Sequence, residues 1–82
     1  VKYVIVGRRE RTVGEVKYEI VKPLISLQST GKFRKELNLV SWNDREPVYD
    51  LRGWKDDHSE MTKGITLSEE EFQELKNKIM EV

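Results

Sequence analysis

The chain has 82 residues, with 15 Lys or Arg against 15 Asp or Glu, one His and no Cys. That length holds one small domain whose single core is marginal, so oligomerisation is the remaining way to bury more surface. Disulfide scaffolds and Cys-based zinc sites are excluded, and apolar runs such as Val4-Ile5-Val6 are far too short to span a membrane. The 82 residues contain no signal-peptide core and no Arg/Ser-rich transit segment, and the sequence opens on Val1. The expectation is a trimmed or processed cytoplasmic protein, nucleoid-associated if bacterial.

The zero net charge hides a split. Residues 1–35 hold nine Lys/Arg and three Glu, whereas residues 36–82 hold six Lys/Arg and twelve Asp/Glu. Such asymmetry suggests a face that binds polyanions. Much of the acidic excess sits in Glu69, Glu70, Glu71, Glu74 and Glu81, which leaves the rest of the chain basic.

Val1 to Val6 is β-branched and aromatic and reads as a strand. Gly7 to Arg11 is a polar turn with three arginines. Val16 to Val21 then repeats the first six residues with five of six identical, and the two copies suit a hairpin across that turn. In the second strand Val16, Tyr18 and Ile20 share a face by the period of two. Pro23 cannot donate to a ladder, so it marks a bulge, bend or edge. Leu24, Ile25 and Leu27 continue the strand, and Gln28 to Lys32 is a turn. Phe33 to Trp42 alternates, with Phe33, Leu37 and Leu39 on one face and Arg34, Asn38 and Trp42 on the other. Asn43 to Pro47 is a turn. Val48 to Trp54 is a strand with Tyr49 and Leu51 facing one way, Asp50 and Arg52 the other. Lys55 to Lys63 reads as a polar loop and Gly64 to Leu67 as a short last strand. Ser68 and Glu71 form a capping box, and Phe72, Leu75 and Ile79 give the following helix one apolar face.

The order predicts an α+β fold: a curved antiparallel sheet of four strands, five if Val1 to Val6 joins it, then one C-terminal helix. One helix covers one sheet face. The expected bare face carries Arg34, Asn38, Trp42, Arg52 and Trp54. Tryptophans and arginines there suit unpaired bases and their phosphates, because aromatic stacking tolerates any base. The same tryptophans could equally be buried in a dimer core, since tryptophan is highly buried on average.

Lys35 to Asp44, then Tyr49-Asp50-Leu51-Arg52-Gly53-Trp54, then Met61 to Phe72 with its Lys-Gly-Ile-Thr-Leu-Ser run, closely resemble the bacterial YdbC-type branch of the Positive Cofactor Four family of transcriptional coactivators. The resemblance spans roughly Val16 to Met80. It implies a homodimer packed through helices and sheets, binding single-stranded DNA largely without sequence preference, in transcription or DNA maintenance. It implies that residues 16–82 are the binding domain and residues 1–15 an extension or added strand. Trp42 sits near the family's stacking aromatic, Arg52 matches its phosphate- or base-contacting arginine, and Trp54 matches the aromatic closing that strand. Lys63 matches the lysine before the Gly-Ile-Ser/Thr-Leu strand, and Arg34 and Lys35 fall at the basic start of the second family strand. With Lys32, Asn38 and Arg45 these residues make the expected interface. The chain departs from the eukaryotic pattern. Asp-Leu-Arg-Gly-Trp is one residue shorter, Arg45 replaces a lysine pair, and the Ser-rich tail is absent, so coactivator activity does not carry over.

Asp56-Asp57-His58-Ser59-Glu60 is the one cluster resembling a metal or acid/base site, and it reads as a solvated loop with no known ligand spacing. No nucleophile elbow and no phosphate loop occurs. The reading is a non-enzyme without metal, cofactor, membrane partner or small-molecule substrate. Two alternatives are a protein-interaction domain using Val1 to Val6 as an exposed edge, and an RNA-binding chaperone, since stacking and phosphate contacts do not read the 2′-OH.

Overall fold

The computed structural model describes the backbone of residues 2–6, 14–28 and 31–82 and the side chains of residues 16–28 and 31–82. Five strands and one helix follow in order: β1 (Lys2–Val6), β2 (Gly14–Ser26), β3 (Arg34–Trp42), β4 (Val48–Trp54), β5 (Met61–Leu67) and α1 (Glu69–Ile79). The strands form one antiparallel sheet in chain order. The two near-identical segments pair as a hairpin, with Lys2 opposite Tyr18 and Val6 opposite Gly14. The arginine-rich turn of residues 7–11 lies outside the described residues, as do Ser29 and Thr30 of the next turn.

β2 is 13 residues long and is bent by two register shifts, between Ile20 and Lys22 and between Pro23 and Ile25. Bulges of this kind bend a strand and raise its twist. β1 pairs only with Gly14 to Tyr18, so Pro23 falls in the half of β2 that is an edge among the described residues. On the β1 side, therefore, no ladder reaches it, and on the β3 side it stands opposite Asn38 beside a register shift. The turn after β3 has positive φ at both Asn43 (52°) and Asp44 (63°). Asn and Asp tolerate this region, which suits the twist of a tight hairpin. The Arg45 N–H closes the turn onto the Trp42 carbonyl at 2.9 Å, and the Asn43 N–H reaches the Lys17 carbonyl at 2.8 Å.

One expectation is corrected at β5. The strand begins at Met61 rather than Gly64, so Met61, Thr62 and Lys63 belong to the sheet. A register shift opposite Gly53 absorbs the extra length, and the Gly53 N–H donates to Thr62 Oγ1 at 2.9 Å.

The larger correction concerns the two faces. On one side of the sheet Tyr18, Val40 and Trp54 form the buried core, with Val16, Ile20, Trp42 and Met61 packed around it. Glu36, Asn38 and Asp50 are buried on the same side. Among the described residues no helix lies there, and the bent sheet encloses these groups with the loop of residues 55–60. The helix lies on the opposite side, where Phe72 stacks on Tyr49 at 3.9 Å between ring centres. No residue of α1 is buried. The face without a helix is therefore the better covered one. Its large aromatic side chains fill the hollow that sheet curvature creates, whereas an 11-residue helix covers only part of the other face.

Ser68 starts the helix as the sequence indicates. Its Oγ accepts the Glu71 N–H at 3.1 Å, and the Glu71 carboxylate accepts the Ser68 N–H at 2.8 Å. Three glutamates in the first turn and Lys76 and Lys78 in the last complement the helix dipole. Ser68→Ala removes one half of the box and should cost about 1 kcal/mol, read as a lower urea midpoint at unchanged slope.

Candidate nucleic-acid interface

The curved face is built from alternate residues of β3 and β4. Arg34 lies opposite Trp54, Glu36 opposite Arg52 and Asn38 opposite Asp50, so these side chains share one side of the sheet. Tyr18 joins them from β2, opposite Trp42. Its ring centre lies 5.1 Å from Trp54 and 6.0 Å from Trp42. The Tyr18 hydroxyl donates to the His58 carbonyl. Burial, and secondarily the Asp57 charge, push the Tyr18 hydroxyl pKa up, which keeps it a donor.

Two polar clusters are embedded in this aromatic face. In the first, Arg52 grips the buried Asp50 carboxylate: Nε reaches both oxygens at 2.8 and 3.0 Å, and Nη2 reaches Oδ2 at 2.7 Å. The guanidinium lies over the Trp42 ring, its central carbon 4.8 Å from the ring centre. Gly64 makes room for this side chain. A Cβ there would stand 2.3 Å from the Arg52 Cβ and 2.9 Å from its Nε. Burial pushes the Asp50 carboxyl above its ordinary value, against the opposing pull of the Arg52 hydrogen bonds and charge.

In the second cluster, Glu36 Oε1 meets His58 Nε2 at 2.8 Å and accepts from Asn38 Nδ2 at 3.0 Å. Arg34 stands 3.8 Å from Glu36 and donates to Asp56 at 2.9 Å. His58 holds a positive φ of 59° at the turn that folds over Trp54, its ring centre 5.4 Å from the indole. Burial pushes the Glu36 carboxyl up. The Asn38 and His58 hydrogen bonds and the His58 and Arg34 charges outweigh this, so its pKa is lowered overall.

The expected interface residues are thus divided. Trp42 is half-buried and Arg52 lies beside it, so these two are brought together. Arg45 is exposed in the turn that follows Trp42. Arg34 sits at the other end of β3, and the exposed Lys32 precedes it with its ammonium 4.0 Å from Glu60. Lys63 is exposed on β5. Lys35 alternates to the helix side, away from Trp42. Trp54 and Asn38 are corrected: they are 0% and 1% exposed, enclosed by the sheet and the His58 turn, and offer no surface to a base. The indole nitrogens of Trp42 and Trp54 and Arg34 Nε find no acceptor within the described residues. Tyr18, Glu36 and His58, which hold the face together, lie outside the interface expected from sequence. The capacity of Glu36 to meet His58, 22 positions away, has no signature in spacing. Residues 56–60 serve as turn and ion-pair partners, and no group of three or more His, Asp or Glu is gathered to hold a metal among the described residues.

The lowered Glu36 pKa makes its share of stability acid-labile. That share is present above the unfolded-state value of about 4.5 and is lost as pH falls through the folded value. Asp50, with a raised pKa, acts with the opposite sign. Glu36→Gln should melt below the wild type at neutral pH. The two melting temperatures should converge as pH falls and wild-type Glu36 protonates, followed by circular dichroism.

No helix among the described residues is long and apolar enough to cross a membrane. Residues 31–78, which span β3 to α1, match the family described as Transcriptional Coactivator p15 (PC4). An uncharacterized protein of Treponema pallidum (strain Nichols) is 38% identical over 61 residues, which cover 73% of this chain and 72% of the relative. The family match begins just before β3, so β1 and β2 lie outside it. On the match across these strands and the helix, the chain belongs to the Transcriptional Coactivator p15 (PC4) family.

Proposed function

We propose that this chain is a non-enzymatic, homodimeric domain of the YdbC-type branch of the family that binds single-stranded DNA with little sequence preference. The observation that carries the reading is Trp42: a half-buried indole braced by Arg52 at 4.8 Å and by Tyr18 at 6.0 Å, with family membership behind it. A braced ring stacks on a base without first losing rotamer freedom. Basic side chains flank it along β3, Arg45 beyond its end and Lys32 and Arg34 at its start, a span of about 30 Å at strand rise. Lys63 extends the basic set onto β5. In this reading residues 2–6 are an added strand of the binding domain, and the protein acts in transcription or DNA maintenance.

The dimer rests on the other face. Ile25, Leu27, Leu51, Ile65, Leu75 and Ile79 line an apolar groove of about 490 Å³ between sheet and helix. Ile65 and Ile79 are more than half exposed. The helix is acidic in its first turn and basic in its last. A second copy laid antiparallel would set acid against base while covering the groove.

A titration with dye-labelled oligo-dT of about 20 nucleotides at two salt concentrations tests the binding, with duplex of equal length as competitor. Affinity should fall as salt rises, and single strand should win. Trp42→Ala should weaken binding by about tenfold or more, within the stacking range of 1–3 kcal/mol, while still melting cooperatively. Equal competition by duplex, or no binding at low salt, refutes the reading and turns attention to a partner strand at a sheet edge. For the dimer, sedimentation equilibrium should show two copies for the wild type and one for Ile79→Glu, which places a charge in the groove.

A further inference from the structure

Resting on the single-strand reading, we infer that Asp50 is a positioning residue that holds Arg52 as a charge-neutralised brace behind Trp42, so that base stacking and phosphate binding fall to different side chains. The resemblance alone leaves Arg52 a phosphate or a base contact. The geometry separates these roles.

A guanidinium has five N–H donors arranged in a fork. Here the Nε and Nη2 edge is committed to Asp50, with contacts of 2.7 to 3.0 Å. Nη1 is turned toward Met61 Sδ at 3.4 Å. The guanidinium carbon lies over the Trp42 ring, 4.8 Å from its centre. Gly64 fixes the path of the stem, because any side chain there would collide with it. Asp50 is 0% exposed and the Arg52 side chain 14%. Arg52 can engage a phosphate through its fork only by leaving Asp50, and that would strand a carboxylate in the interior, a strongly unfavourable exchange. The pair stays closed, and its net charge toward the nucleic acid is close to zero. What Arg52 supplies is position and polarisation: a planar cation against the indole, which fixes the ring for a base. Screening by Asp50 also keeps this spot from drawing duplex phosphates, so the site selects for an available base.

The sequence hides this because Arg52 sits opposite Glu36, at the far end of β3 from Trp42. Asp50 lies between them on β4. The carboxylate draws the long Arg52 side chain along its own strand and sets it down against the indole.

The test compares the slope of log affinity against log salt, with oligo-dT as the probe and the full chain as the protein. Each phosphate neutralised on a single strand contributes about 0.7 to that slope. The double variant Asp50→Asn/Arg52→Gln removes both charges, keeps hydrogen bonding between the two side chains and leaves no buried ion unpaired. It should weaken oligo-dT binding about fivefold through loss of the cation against the ring, with the slope unchanged. Asp50→Asn alone frees the guanidinium and should steepen the slope by about 0.7. A double variant whose slope falls by about 0.7 overturns the inference, because Arg52 would then have been a phosphate ligand. A wild-type measurement avoids dependence on variant folding. The Arg52 Nε resonance should stay in place when an abasic oligonucleotide is added, whereas the Trp42 indole resonance should move with oligo-dT. A shift of Arg52 Nε with the abasic strand overturns the inference while leaving the single-strand reading intact. Failure of the wild type to bind oligo-dT at all removes both.

Discussion

Tyr18 is the contact on which the curved face depends. Its ring meets both tryptophans, and its hydroxyl reaches across the sheet to the backbone of the His58 turn. One side chain from β2 thus ties β3, β4 and the loop before β5 into a single unit. In a domain of 82 residues this economy matters, because the described buried hydrophobic core consists of only Tyr18, Val40 and Trp54. Aromatic rings bring the most buried area per residue, and their tilted contacts contribute beyond area alone. The hydroxyl gains a partner within the same packing, so burying it does not leave a donor unsatisfied.

The two sides of the sheet solve opposite problems. The curved side buries carboxylates, and each is matched: Asp50 by Arg52, and Glu36 by Asn38 and His58. Such clusters are costly when half satisfied and rigid when complete. Rigidity is what a stacking surface needs, since a ring already held in place loses little freedom on binding. The helix side is apolar and incompletely covered, with Ile65, Leu75 and Ile79 open beside the groove. A small chain can leave such a surface open when a second copy supplies the missing half of the core. In the proposed reading recognition and assembly fall to opposite faces, and neither need compromise the packing of the other.

Much of the architecture was legible in local chemistry. The alternation of β3 and β4, the punctuation by Asn43-Asp44 and Pro23, and the Ser68 capping box act within a few residues of one another. Each was read from the sequence with at most a shifted boundary. The start of β5 is not legible locally, because Met61-Thr62-Lys63 resembles polar loop. Its pairing depends on Gly53, nine positions earlier, donating to Thr62. The interface was only partly legible. Face membership of Arg34, Asn38, Trp42, Arg52 and Trp54 follows from the period of two, but exposure does not.

Sequence by itself determined the order of elements, the side of the sheet on which each residue stands, the helix start and the family. These are consequences of backbone geometry and of short-range hydrogen bonding. Tertiary structure alone decided which face is closed, because closure depends on how sharply the bulges in β2 curl the sheet and where the His58 turn lands. It placed Trp54 inside and left Trp42 half open, though both are tryptophans at strand ends on the same face. It also coupled Arg52 to Asp50 and Trp42, a meeting set by the reach of long side chains over a curved surface rather than by their separation along the chain.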